Sequence, residues 1–153
     1  MTIQLQLMVQ WLNTWIGRVC RDGQCVAMFR QFIQDVWKVV PFEGLGINGG
    51  AKELFFRHWQ LPTQARLADL FTWDPACPDI RPLPGDAVIF RESPTNQWGH
   101  VAIFVMDTIP GREMMVVEQS GIAAMNNETA RMGVRFGTWN NDRLLGWLRK
   151  KAV

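Results

Sequence analysis

The chain has 153 residues, of which 48% are hydrophobic and 20% charged; this is sufficient for a domain with a buried core and excludes a disordered chain. Its formal net charge of +2 argues against a dedicated nucleic-acid-binding protein, which usually carries a concentrated basic face, and is compatible with an anionic polymer as partner. No apolar run reaches the roughly 18 residues of a membrane-spanning helix, so no membrane insertion is predicted.

Helices are predicted in the first part of the chain. Apolar residues at helical spacing indicate an amphipathic helix from Ile3 to about Ile16, which Gly17 is expected to end. A second helix is predicted over residues 23–38 with Asp22 as its N-cap. The apolar face of this helix comprises Val26, Phe29, Ile33, Val36 and Trp37. Proline and glycine predict a loop over 41–50, and residues 51–59 are a short helix candidate.

Strands are predicted in the second half. Residues 60–82 are rich in proline and aspartate and are predicted to be mostly loop. Short β-branched or aromatic runs follow, separated by turns, at 86–90, 100–105, 114–119, 134–139 and 144–148. Helices first and strands later predict an α+β fold, in which the N-terminal helices pack on an antiparallel sheet. We expect one domain spanning residues 1–153.

The segment DGQCVAMF places Cys25 at about the third position of the second predicted helix. Helix-start amides and the helix dipole favour a thiolate there, although a free cysteine is also commonly a small buried hydrophobe. Cys20 precedes the cap and Cys77 lies in a loop between prolines, so neither has an activating helix start. Three cysteines without a CxxC spacing exclude a closed disulfide framework and give little support to a zinc site.

A histidine and a glutamate lie on two neighbouring predicted strands. If the hairpin between these strands centres near residue 109, His100 faces Glu118 directly across the ladder, with both side chains on one face. This prediction depends on register, because a shift of one residue would separate them. Taken singly, His100 also fits an ordinary strand-end histidine and Glu118 a solvated edge residue. The other histidine, His58, lies in FFRHW on a helix candidate and is interpreted as structural.

Five segments in this order resemble the CHAP family, the cysteine- and histidine-dependent amidohydrolases and peptidases. They are GQCVAMFRQFIQDVW, PLPGDAVIF, WGHVAIFV, VVEQS and LLGWLRK, and the resemblance covers about residues 15–149. GINGGAKELF also resembles a segment that such domains carry between nucleophile and sheet. The resemblance implies a papain-like fold and cleavage of an amide bond in peptidoglycan, as N-acetylmuramoyl-L-alanine amidase or as stem or cross-bridge endopeptidase. Many members are phage endolysins or virion-associated lysins.

Carried over to this chain, the resemblance implies Cys25 as nucleophile, His100 as general base and Glu118 as the residue that orients the histidine. Gln24 stands directly before the nucleophile, and the Cys25 amide with a nearby donor would form an oxyanion hole. Ser120 occupies the position where the family often has asparagine.

Trp98, two residues before the histidine, either shields the cleft from solvent or simply packs. Asp86, between a turn and a strand, is interpreted as structural. Some members bind calcium through an acidic loop before the cysteine. The segment TWIGRVCRDGQ has one aspartate, so we expect no metal and no cofactor.

The N-terminus lacks the basic and continuous apolar regions of a signal peptide. We therefore expect synthesis in the host cytoplasm, action at the bacterial wall after release or delivery, and peptidoglycan as the binding partner. No separate wall-binding domain is expected, so targeting would come from the catalytic domain, a wall-binding or delivery protein, or a larger parent protein. The alternatives are an interbacterial amidase toxin and an inactive wall-binding or virion structural module.

Overall fold

The computed structural model describes residues 3–39, 50–56, 71–75, 81–119, 131–138 and 142–151. These residues form three helices, which are α1 (Ile3–Trp15), α2 (Cys25–Asp35) and α3 (Glu53–Phe56). They also form six strands: β1 (Phe71–Pro75), β2 (Ala87–Phe90), β3 (His100–Ile109), β4 (Glu113–Glu118), β5 (Gly133–Thr138) and β6 (Leu144–Lys150). The strands make one sheet in the order β1-β6-β2-β3-β4-β5, with every neighbouring pair antiparallel. The predicted α+β fold is confirmed.

Strand β1 corrects the prediction that residues 60–82 are mostly loop. Phe71 to Pro75 pair with β6 at the edge of the sheet. Phe71, Thr72 and Trp73 favour a strand, but the following Asp74 and Pro75 disguise it in the sequence. An edge strand tolerates proline because one side of its backbone needs no ladder partner.

The two faces of the sheet carry separate apolar clusters. Helices α1 and α2 pack on one face, where Phe29 and Ile33 meet Ile89, Ile103 and other buried side chains. On the opposite face, Val88, Ala102, Phe104, Met114, Val116, Leu144 and Trp147 form a second buried cluster. A hydrogen bond of 3.1 Å from Trp11 Nε1 to Asp35 Oδ2 joins α1 to the end of α2. Within the described parts of the chain, no helix has the length and apolar character needed to cross a membrane.

The helix ends differ from the predicted ones by a few residues. Helix α1 ends at Trp15, and Gly17 adopts a φ of +79° just beyond it, as expected for a helix-ending glycine. Helix α2 ends at Asp35 with Val36 as its C-cap, and Lys38, the predicted last residue, has a φ of +59° that a right-handed helix does not allow. Its buried face also includes Met28 and Phe32.

The hairpin of β3 and β4 has a different register from the predicted one. The turn is formed by residues 110–112, with Gly111 at a φ of +72°, and two irregularities shift the pairing along β3. Because Ile103 pairs with Val117, the position opposite Glu118 is 102 and not 100. The predicted direct pairing of His100 with Glu118 is therefore wrong by two residues. An even shift keeps both side chains on the same face, as diagonal neighbours.

Candidate active site

Cys25 is the first residue of α2, not the third. Gln24 is the N-cap residue, and its side chain makes no capping hydrogen bond. Asp22, the predicted cap, instead accepts a hydrogen bond of 2.9 Å from the Gln24 backbone N–H. Gly23 has a φ of +82°, which a right-handed helix does not allow, so the helix cannot start at residue 23. This turn delivers Cys25 to the helix start.

The Cys25 thiol is buried and lies beside His100. Burial works to raise its pKa, but the hydrogen bond and positive charge of His100 and backbone hydrogen bonds from Val101 and Val26 outweigh burial. The pKa of Cys25 therefore lies below its ordinary value. A helix start acts in the same direction, because its free amides and dipole favour negative charge.

His100 begins β3 and is held by Glu118 at the end of β4. His100 Nε2 lies 2.6 Å from Glu118 Oε2. Because Glu118 occupies Nε2, the ring nitrogen left for Cys25 is Nδ1. The imidazole also lies against the ring of Phe90, with centroids 6.2 Å apart. The ring is thus held by a carboxylate on one nitrogen and meets the thiol with the other.

Both members of this pair are shifted towards their charged forms. Burial disfavours the imidazolium, but hydrogen bonds and charge interactions with Cys25 and Glu118 raise the pKa of His100 to about 9. Burial would also raise the pKa of Glu118, yet His100 and Arg135 keep it below its ordinary value. The site therefore favours a thiolate, an imidazolium and a carboxylate in series.

Two residues at this site, Arg135 and Gln119, were not among the candidates predicted from the sequence. Arg135 on β5 places Nη1 3.1 Å from Glu118 Oε2, with its side chain 59% exposed. Gln119, directly after Glu118, is fully buried and hydrogen-bonded to the segment before Cys25. Arg135 could have been identified only from a prediction of how β5 pairs with β4. Gln119 could have been identified only by its place directly after Glu118, because no periodic pattern in the sequence indicates that a polar residue is buried.

Among the other residues considered from the sequence, Trp98 and Cys20 have surroundings of their own, and others lie outside the described residues. Trp98 is 54% exposed, so its ring is not part of the core, and its backbone carbonyl accepts a hydrogen bond of 3.1 Å from the Lys52 N–H. Cys20 is fully buried, and burial raises its pKa to about 11. Ser120, His58 and Cys77 lie outside the described residues. In the portion of the chain that the structure describes, no three His, Cys, Asp or Glu side chains group as metal ligands would.

Asp86 lies at the end of β2 opposite to the site. Its carboxylate is buried and accepts hydrogen bonds from Arg149, the shortest 2.7 Å, and from the Leu83 backbone N–H at 2.8 Å. These contacts join β6 and the segment before β2, which agrees with a structural role.

The fold that carries these residues also occurs in other solved protein structures. The chain is similar in fold to an endolysin. The crystal structure of wild-type endolysin LysIME-EF1 matches with a TM-score of 0.69 and 20% identity, over 97% of this chain and 64% of that one. The crystal structure of Ly7917 matches with a TM-score of 0.60 and 16% identity, over 95% of this chain and 62% of that one. Ly7917 with the hydrolyzing product of MDP matches with a TM-score of 0.63 and 15% identity, over the same shares.

The chain thus spans less than two thirds of the length of these solved structures. No protein-family profile and no curated protein sequence matches it. The structural likeness establishes the fold, and the chemistry has to be argued from the site.

Proposed function

We propose that the protein is a peptidoglycan hydrolase of the CHAP type, a phage lysin that cleaves an amide bond of the bacterial wall with Cys25 as nucleophile. The hydrogen-bonded series Cys25, His100 and Glu118 at a helix start carries this proposal. A thiol beside a histidine that is itself oriented by a carboxylate has the parts required for nucleophilic catalysis. The fold shared with the endolysin LysIME-EF1 supports a cell-wall substrate, as does the CHAP-like motif order.

The proposed reaction proceeds in two steps. The Cys25 thiolate attacks the carbonyl carbon of the amide, and the negative charge that develops on the carbonyl oxygen is stabilised by the Cys25 backbone N–H. The His100 imidazolium gives its proton to the leaving nitrogen as the carbon–nitrogen bond breaks, which leaves a thioester on Cys25. His100 then accepts a proton from water, whose oxygen attacks the thioester; the carbon–sulfur bond breaks, which releases the carboxylic acid and restores the Cys25 thiolate and the His100 imidazolium.

Each supporting residue has a part in this scheme. Glu118 fixes the imidazole ring through Nε2 and stabilises its positive charge. Gln24 and Ser120 flank the two catalytic segments and are proposed substrate-binding positions. Trp98, more than half exposed two residues before His100, offers an aromatic surface at the mouth of the site.

Digestion of purified peptidoglycan with the protein, followed by mass spectrometry of the products, tests the proposal. New amino and carboxyl termini at one type of amide bond are expected, and the bond identifies amidase or endopeptidase activity. Cys25→Ala is the matched control and should release nothing while keeping the circular dichroism spectrum of the wild type. If wild-type protein binds the wall without cleaving it, the inactive-module alternative is correct.

A further inference from the structure

The side chain of Gln119 joins β4 to the segment that leads into the nucleophile helix. Its Oε1 accepts a hydrogen bond of 2.6 Å from the Cys20 backbone N–H. Its Nε2 donates to the Cys20 carbonyl at 2.8 Å and to the Gln24 carbonyl at 3.2 Å. The residue has no exposed surface, so these bonds do not compete with water. A single buried amide therefore holds both ends of the turn that precedes Cys25.

The bond to Gln24 has a consequence for Cys25. The carbonyl of Gln24 and the N–H of Cys25 belong to one planar, trans peptide group, and they point in opposite directions. The Gln24 carbonyl accepts from Gln119 Nε2 and also from the Met28 N–H, at 3.1 Å. With the carbonyl held in this way, the Cys25 N–H is directed away from Gln119. That N–H is the proposed donor to the developing oxyanion.

Gln119 also lies next to the residue that orients the base. Successive residues of an extended chain point to opposite sides of a sheet. Glu118 accordingly bonds His100, and Gln119 bonds the segment 20–24. The end of β4 therefore sets the position of the base with one side chain and the position of the nucleophile with the next.

We infer that Gln119 is a positioning residue, which orients the Gln24–Cys25 peptide and so aligns the nucleophile and its oxyanion donor with His100. This inference rests on the proposed role of Cys25. Loss of the Gln119 side chain should impair transition-state stabilisation far more than substrate binding, since the misaligned groups act mainly on the reacting carbonyl.

Gln119→Met tests the inference, because it keeps the length of the side chain and removes all three hydrogen bonds. On soluble peptidoglycan fragments we expect kcat to fall by about tenfold or more, with KM within about twofold. Alkylation of Cys25, followed by mass spectrometry of its peptide, should show a higher thiol pKa. Gln31→Met is the matched control. Gln31 bonds Arg21 of the same turn and Asp35 of α2 rather than β4, and its loss should leave kcat and the thiol pKa as in wild type.

Gln119→Glu provides a second test, which compares how the kcat deficits of the two Gln119 variants depend on pH. An ionised carboxylate faces two carbonyl oxygens and repels them, whereas a protonated one can donate one hydrogen bond. The kcat of this variant relative to wild type should therefore recover as pH is lowered, and the deficit of Gln119→Met should not.

The outcomes separate the inference from the proposed function. Wild-type kcat and an unchanged Cys25 titration in Gln119→Met, or a Gln119→Glu deficit that does not vary with pH, would overturn the positioning role. Full activity of Cys25→Ala would instead refute the proposed function.

Discussion

At the scale of single residues, the pKa values of two buried cysteines, Cys20 and Cys25, are shifted in opposite directions. Burial raises the pKa of Cys20 to about 11, whereas contact with His100 lowers that of Cys25 below its ordinary value. Both side chains are shielded from water, so burial alone does not distinguish them. The difference comes from the cation and the backbone donors beside Cys25.

Cys25→Ala should abolish hydrolysis, and Cys20→Ala should keep most of it, because of these two thiols only that of Cys25 has a lowered pKa and adjoins a base. Release of peptidoglycan fragments by the two purified variants checks this. Equal inactivation by both substitutions, with both proteins folded, would contradict the assignment of a single catalytic thiol.

The pH dependence of kcat/KM follows from the shifted groups. The rate should rise as Cys25 ionises, at a pH below the ordinary thiol range, and fall as His100 loses its proton near pH 9. A bell-shaped profile on soluble fragments, with its basic limb well above the ordinary histidine value of 6.5, is the expected result. A basic limb near 6.5 would show that Cys25 and Glu118 do not stabilise the imidazolium.

Substitutions of Glu118 and of its second partner, Arg135, should move this basic limb in opposite directions. Glu118→Gln removes the charge that stabilises the imidazolium, so the limb should shift to lower pH. The hydrolysis rate of this variant should lie between that of wild type and that of His100→Ala, whose rate should fall by at least about a hundredfold.

Arg135→Gln frees Glu118 from a competing cation, so the basic limb should shift to higher pH. The shift should be less than about 0.5 pH unit because Arg135 is exposed. The pH profile of kcat/KM on soluble fragments measures both shifts. Shifts in the same direction would contradict the shared carboxylate.

At the scale of elements, the start of β3 is held by close backbone packing. Gly99, directly before His100, has a φ of +74°, and a Cβ on it would lie 2.5 Å from the Phe90 carbonyl oxygen and 3.0 Å from Lys52 Cβ. A Cβ on Gly50 would lie 2.4 Å from the Trp98 carbonyl oxygen. The segments before α3 and before β3 therefore pack backbone to backbone, and this packing positions the base.

Gly99→Ala should destabilise the fold and lower activity, since both the left-handed φ and the clash with Phe90 oppose a Cβ. Gly17→Ala is the control for φ alone: Gly17 has a φ of +79° with open space around its Cβ position, and should lose only about 1 kcal/mol. Urea unfolding of both variants measures the difference. Equal losses of the free energy of unfolding would mean that the clash with Phe90 relaxes at no cost.

At the scale of the whole molecule, the two ends of the central strands have different tasks. At one end Phe90 pairs with His100, and the catalytic candidates assemble there. At the other end the buried Asp86 carboxylate pairs with the partly exposed Arg149, which joins the start of β2 to β6. A buried carboxylate that loses its cation is strongly destabilising, whereas replacing both partners is much less so.

Arg149→Met should therefore lower the free energy of unfolding by about 3 kcal/mol, and the Asp86→Asn/Arg149→Met double variant should recover at least half of that loss. The pH profile of activity should not change in either, because the pair lies at the far end of the strands. Denaturant unfolding and the pH profile measure the two effects separately. A double variant less stable than Arg149→Met would show that the ion pair itself, and not the desolvated Asp86, accounts for the loss.

Local pattern determined much of this fold in advance. The apolar spacing of α1 and α2, the β-branched runs of β2 to β6 and the order of helices before strands are properties of neighbouring residues, and they were predicted close to their observed bounds. The placement of His100 and Glu118 on one face was also predicted, because strand parity survives an even error in register, whereas the association of Cys25 with them was implied by the family resemblance and not by local pattern. Strand β1 was missed where Asp74 and Pro75 interrupt a short run at the sheet edge.

Only the tertiary structure decided the contacts that the site depends on. The start of α2 at Cys25 follows from the turn at Asp22 and Gly23, and the diagonal placement of His100 and Glu118 follows from the irregular pairing of β3 with β4. The bonds of Gln119 to Cys20 span 99 positions, and no local pattern encodes a contact at such a separation. Sequence periodicity indicates which face of a strand or helix a residue occupies. The residue it contacts on that face is determined by the packing of segments distant in the chain, and a buried polar side chain must form its hydrogen bonds with those segments.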